Sequence, residues 1–240
     1  MVNLAIKPTL RVDELEVRYS DEKWRILREL RGRAADLTKT LESSMINTTI
    51  YGSIARGDVK PTSDIDVFVQ SATPLQVELA LERAGTPARR RLLVQATPSY
   101  APKICWEVED RVQVSAPLVR LQRNEVEFYA FGGQADYRQL LAGVRVPGVD
   151  KRLMLIEPTP SGHRESSVVG VESAVAKLLG VSPQTVQERV RVLRKRDRVG
   201  RTGIFVKREL DPDEAVGQVM AEEAARNPEL RRRVSESTGL

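Results

Sequence analysis

Between Tyr51 and Val69 the chain reads YGSIARGDVKPTSDIDVFV, and few folds accommodate that order of residues. The run Asn47–Tyr51 has strand character and Gly52-Ser53 turns it. A polar loop then leads to Asp64-Ile65-Asp66, just ahead of the apolar Val67-Phe68-Val69. Residues i and i+2 of a strand face the same way, so Asp64 and Asp66 are expected side by side while Ile65 enters the core. Two carboxylates that close repel unless a cation lies between them, and Mg²⁺ or Mn²⁺, completed by phosphate oxygens, suits the pair. Gly52 lets the backbone approach a phosphate, and the hydroxyls of Ser53 and Ser63 can bind its oxygens. Arg56 and Lys60 add positive charge to the loop. These parts describe a site for a metal-bound nucleoside triphosphate.

Composition narrows the class. A chain of 240 residues with 41% hydrophobic and 30% charged residues has the make-up of a globular protein with a real core, not of a disordered one. No run approaches the length of a membrane span, and the start MVNLAIKPTLRVDE lacks a signal-peptide core, so no membrane partner is expected. Cys105 is the single cysteine, which excludes a disulfide framework and a cysteine zinc site and points to a reducing cytoplasm. The net charge of +5 is modest, so its distribution matters more than its size.

Along the chain, residues 1–20 give no clear pattern. Ser20-Asp21-Glu22 can cap a helix running to about Ser43, with Trp24, Leu27, Leu30, Ala34, Leu37 and Leu41 at helical spacing. Pro74 opens a helix that Gly85 closes. Leu92–Ala96 reads as a strand, and Ile104–Val108 with Val112–Ala116 as a hairpin around Glu109-Asp110-Arg111. A short helix is expected at Ala135–Ala142 and a strand at Leu153–Ile156. The Pro/Gly-rich stretch up to His163, the only histidine, reads as a structured linker. There His163 is expected to be a loop residue making local hydrogen bonds, with substrate contact or proton transfer as the sharper alternative.

The set Gly52-Ser53, Ala55-Arg56-Gly57-Asp58 and Ser63-Asp64-Ile65-Asp66 resembles the signature of the DNA polymerase β-like nucleotidyltransferase superfamily. Its minimal nucleotidyltransferases and archaeal-type CCA-adding enzymes are the most similar branches. The resemblance implies an α+β catalytic domain, a mixed sheet flanked by helices, over residues 1–120. Within it Asp64 and Asp66 hold the metal and are catalytic, and Gly52, Ser53, Arg56 and Ser63 bind the nucleotide. The superfamily places a further acidic residue on a later strand, serving the metal that activates the attacking hydroxyl. In Val112-Gln113-Val114-Ser115-Ala116-Pro117 that position is Gln113. An amide binds Mg²⁺ poorly and accepts no proton, so Glu107, or else Glu109 or Asp110, is expected to substitute.

After a linker or insert at 121–167, residues 168–210 resemble a winged helix-turn-helix module. A short helix stops at Gly180, Ser182-Pro183 starts a second, and Arg198–Val206 reads as two short strands around a turn. Ten Lys or Arg between 168 and 208 face only Glu172, Glu188 and Asp197, an excess larger than that of the whole chain. Gln184, Gln187, Arg191, Arg194, Lys195, Arg198 and Arg201 are the residues expected to contact nucleic acid, with Thr185 also near the bases. The tail at 211–240 should carry a helix whose stripe of Val216, Val219 and Met220 packs on the preceding module or on a second subunit, as in a homodimer, followed by a frayed polar end. Two functions follow. One is a metal-dependent enzyme transferring NMP from NTP to a hydroxyl of a nucleic acid or protein. The other is a catalytically weakened, nucleotide-sensing regulator that binds nucleic acid.

Overall fold

A computed structural model describes residues 14–200 and 203–238. In chain order its elements begin with β1 (Leu15–Arg18), α1 (Asp21–Glu42), β2 (Thr48–Tyr51), α2 (Ser53–Arg56), β3 (Ile65–Val69) and α3 (Pro74–Arg83). There follow β4 (Arg90–Gln95), β5 (Lys103–Glu109), β6 (Val112–Pro117), α4 (Arg123–Gly132), β7 (Gln134–Ala135), α5 (Tyr137–Leu141) and β8 (Gly148–Val149). The last are β9 (Met154–Thr159), β10 (Gly162–Ser167), α6 (Glu172–Leu179), α7 (Pro183–Val199), β11 (Val206–Leu210), α8 (Val216–Arg226) and α9 (Pro228–Thr238). The class is α+β, as expected. Contacts divide the described residues into two units that the chain crosses several times. One takes residues up to 35, 50–63 and 126–200, and the other takes 36–49, 64–125 and 203–238.

The first unit is built on an antiparallel sheet in the order β1-β10-β9-β8, while the end of β2 pairs separately with β7 through Ile50 and Tyr51. Leu155 and Val149 from the sheet, Leu153 just before β9, Phe131 from α4, and Val175, Val186, Val190 and Leu193 from α6 and α7 share one core. The expected linker at 157–163 is instead a hairpin, since Pro158 and His163 stand opposite each other in the β9–β10 register. The polar sequence Gly162–Ser167 hides this strand, whose register is set by pairing on both edges rather than by apolar alternation.

The helix-turn-helix is present, with Gly180 in the left-handed conformation between α6 and α7 and Ser182 capping α7 through the amide of Thr185. Among the described residues, the two strands expected at Arg198–Val206 are not paired with each other. Helix α7 continues through Val199, and β11 pairs antiparallel with β4 in the second unit, where Val206 and Leu210 are buried. An apolar residue at each end of β11 gains more from that edge than from an isolated two-stranded turn.

In the second unit the strand order is β11-β4-β5-β6-β3, antiparallel except for the parallel pair β3–β6. A parallel pair needs a long connection, and α3, β4 and β5 supply it. Thr73 starts α3 with a full capping box to Gln76 and Pro74 in the first turn, satisfying amides that would otherwise lack partners. The expected frayed end is the helix α9. Its Leu230 is fully buried, and Arg233 pairs with buried Glu125 at 2.9 Å. Trp106 is wholly buried on β5, and its indole N–H donates to Glu78 at 3.0 Å. Trp106→Ala should therefore cost about 3–5 kcal/mol of unfolding free energy in chemical denaturation, and an unchanged midpoint would place the core elsewhere.

Candidate active site

In the first unit the Gly-Ser turn is built by backbone conformation. Gly52 has φ 81°, a region where a side chain is strained, and its N–H donates to the Gly133 carbonyl at 2.9 Å. One helical turn, α2, follows, with the Gly57 amide donating to the Ser53 carbonyl at 2.7 Å. Gly57 also has positive φ, and a Cβ there would collide with the side chain of Arg145. The Ser53 and Ser63 hydroxyls are hydrogen-bonded to each other at 3.2 Å, and the Lys60 amide donates to Ser63 at 2.9 Å. Gly52, Ser53 and Ser63 thus lie close together.

Arg56 is not gathered with them for phosphate. It is buried, its guanidinium donates to both carboxylate oxygens of Asp58 at 3.0 and 2.9 Å, and a third nitrogen donates to the Gly132 carbonyl at 2.5 Å. Desolvation favours this paired state over an open one, and the side chain fixes the loop instead of reaching a ligand. The expected nucleotide residue Arg56 is therefore engaged with Asp58 and Gly132 in this structure.

The structure also moves His163 from a loop to a buried position in β10. Burial, and after it the charge of Asp58, pushes the Tyr19 phenol above its ordinary range, so it stays protonated and donates to His163 Nδ1 at 2.7 Å. The other ring nitrogen, Nε2, then carries the proton and donates to Glu165 at 2.9 Å. Burial raises the Glu165 pKa, but hydrogen bonds from Arg152 and His163 outweigh it and hold the carboxyl below the ordinary range. The sole histidine is a fully partnered structural residue.

In the second unit Ile65 is buried between exposed Asp64 and half-buried Asp66, the alternation expected of a strand edge with two carboxylates on one face. The register places Asp66 beside Gln113 on β6, Gln113 beside Glu107 on β5, and Glu107 beside Arg90 on β4. The Gln113 side-chain N–H donates to Asp66 Oδ1. Glu107 accepts from Arg90 at 3.1 Å, and Arg90 also grips Glu209 on β11 with two bonds at 2.9 and 2.7 Å. Neighbouring strands lie roughly 5 Å apart, so the backbones of Glu107 and Asp66 are roughly 10 Å apart across the sheet, with Gln113 between them. Asp64, Arg90, Glu107, Gln113 and the Glu109–Val112 turn line a polar pocket of about 390 Å³. Sequence reasoning missed Arg90 as a partner of Glu107, because the register that joins them is invisible before the sheet is known.

Among the described residues no three His, Cys, Asp or Glu side chains gather as a metal cluster. The amide of Gln113 stands where a third carboxylate would make one. Two oxygen-donor carboxylates fit a single Mg²⁺ or Mn²⁺ that takes its remaining ligands from phosphate and water. They do not fit a second ion on the Gln113 side. Cys105 is no candidate nucleophile, because burial pushes its thiol up to about 11.

On α7 the residues Gln184, Gln187, Arg191, Arg194, Lys195 and Arg198 are all exposed and recur at helical spacing, so they form one polar stripe. Arg201 lies outside the described residues. Thr185 is buried, and its hydroxyl donates to Glu127 on α4, which also accepts from the Ser182 amide and hydroxyl. It does not face bases. Sequence alone could not reveal a carboxylate arriving from another helix.

Residues 32–119 match the family model of the nucleotidyltransferase domain, a stretch that runs from within α1 past β6. No curated protein compared with it is a match. Among solved structures it is similar to a cytoplasmic RNA terminal U-transferase, with 19% identity, a TM-score of 0.30, and coverage of 48% of this chain and 35% of that one. It is also similar to a poly(U) polymerase with MgGTP bound, with 14% identity, a TM-score of 0.29, and coverage of 48% and 38%. The chain spans little more than a third of either protein. None of its described helices is long and apolar enough to cross a membrane.

The burial of Arg56 makes a direct prediction. Arg56→Ala strands the Asp58 carboxylate and should lower stability by about 3–5 kcal/mol, read by chemical denaturation. A variant as stable as wild type would return Arg56 to the ligand site.

Proposed function

We propose, from the premise that residues 32–119 form a nucleotidyltransferase domain, that the chain transfers NMP from an NTP to a hydroxyl of a nucleic-acid or protein acceptor. The observation that carries this reading is the Asp64/Asp66 pair at the front of β3, preceded in the chain by the Gly52-Ser53 turn. In this reading Gly52, Ser53 and Ser63 bind phosphate oxygens, and Asp64 and Asp66 hold one Mg²⁺ or Mn²⁺. Such an ion neutralises the triphosphate and the leaving pyrophosphate when bound. The acceptor oxygen bonds to the α-phosphorus while the bond to the β-phosphate bridging oxygen breaks, and the hydroxyl proton must go to a base. Gln113 cannot take it. Glu107, next in the row and oriented by Arg90, is the side chain proposed to do so. Positioning and charge then supply most of the rate.

The hydrogen bond from Gln113 to Asp66 also supports a second reading, a nucleotide-sensing regulator with little turnover. In either reading the exposed basic stripe on α7 meets nucleic acid through its phosphates. With Thr185 buried and the start of α7 occupied by Glu127, its contact would be mainly to the backbone and largely independent of sequence.

Two experiments test these readings. Each α-³²P-labelled NTP is incubated with Mg²⁺ or Mn²⁺ and a cell extract. Label should enter one acceptor class and be lost in Asp64→Asn/Asp66→Asn. Full transfer by the double variant would overturn the site, and nucleotide binding without any transfer would favour the sensor. For α7, Arg191→Ala/Arg194→Ala should reduce the salt slope of nucleic-acid binding by about 2, whereas an unaltered slope would remove the stripe as the contact surface.

A further inference from the structure

The second unit carries an arginine beside the candidate metal ligand Asp64. Arg111 occupies the tip of the β5–β6 hairpin and lines the same pocket as Asp64 and Gln113. Its carbonyl accepts the Ile65 amide at 2.8 Å, which fixes its backbone against the residue that follows Asp64. Two neighbouring arginines are engaged. Arg90 is shared by Glu107 and Glu209, and Arg91 is bound to Glu78 and to the carbonyls of Asp211 and Pro212. Arg111 differs, for among the described residues its guanidinium has a 3.9 Å ion pair with the highly exposed carboxylate of Asp110 and no shorter one. A pair that open to water contributes little and is readily exchanged.

The backbone adds a second, independent observation. Arg111 has φ 59°, the left-handed region, at a turn where glycine is the residue without strain. A long cationic side chain held there at a conformational cost, on a residue that lines a pocket together with the candidate metal ligand Asp64, calls for a reason beyond the turn itself. The pocket supplies one. Asp64, Glu107, Glu109 and Asp110 all line it, so a polyanion can approach only if cations offset them. One divalent ion on Asp64 and Asp66 does part of this, and with Gln113 in place of a carboxylate no second ion completes it.

We infer that Arg111 is the residue that binds a phosphate of the metal-bound nucleoside triphosphate, supplying positive charge from the hairpin tip. This rests on the nucleotidyltransferase reading, and the following experiment separates the two. Binding of the four NTPs, as non-hydrolysable α,β-methylene analogues with Mg²⁺, is measured by calorimetry on the full chain. Wild type should bind. Arg111→Gly should bind about tenfold more weakly or worse, the loss of a charge-assisted contact, while its Tm equals or exceeds that of wild type because the strain is relieved. Arg111→Lys should recover part of the affinity. If wild type binds and Arg111→Gly binds equally well, Arg111 has no such role and the nucleotide site stands without it. If wild type binds none of the four analogues, the nucleotide reading fails and the inference falls with it. Weaker binding with a lowered Tm and no recovery by lysine would assign Arg111 to the turn alone.

Discussion

The amide of Gln113 donates a hydrogen bond to Asp66, and much of the second unit is arranged so that it can. The parallel pairing of β3 with β6 sets the two residues opposite each other, and burial of Ile65, Val67, Val112 and Val114 leaves neither strand free to slip by one residue. An amide and a carboxylate make a stable neutral–anion pair without a cation, whereas two carboxylates would need one. The single substitution of nitrogen for oxygen at this place changes the number of cations the row can recruit. It also moves the nearest further carboxylate one strand outward, to Glu107.

A second theme is the division of labour among arginines. Arg56 and Arg233 are buried against Asp58 and Glu125, where removing either partner would leave an uncompensated charge. Arg145 lies over the rings of Trp24 and Tyr19 and donates to the Gly162 and Thr159 carbonyls, so it ties β10 and its turn to the start of α1. These side chains hold structure. The cations of the α7 stripe and Arg111 remain accessible to solvent, and they carry the proposals about ligands.

What could be read from the sequence follows from the range of the forces involved. Helix α3 was legible because Thr73-Pro74 and Gln76 cap it locally, and the alternation Asp64-Ile65-Asp66 stated its own geometry. The amide beside Asp66 was legible too, since Gln113 sits at a fixed place in an apolar strand. The fate of Arg56 was not, because its third hydrogen bond goes to Gly132, far along the chain. Nor was that of His163, whose partner Tyr19 belongs to a segment with no periodicity of its own. Strand β10 is polar and β1 short, so pairing makes them strands, and α9 depends on burying Leu230 and Arg233. The pairing of β11 with β4 was hidden for a similar reason, since it joins segments far apart in the chain.

The central claim is that Gln113 limits this site to one divalent ion. Its most direct test is the stoichiometry of Mn²⁺ bound with a non-hydrolysable NTP analogue, counted by electron paramagnetic resonance on the wild-type chain and on Gln113→Asp. One ion per bound nucleotide in the wild type and two in the variant are the expected result. Two ions in the wild type would contradict the account, since the amide would then be no barrier to a second metal.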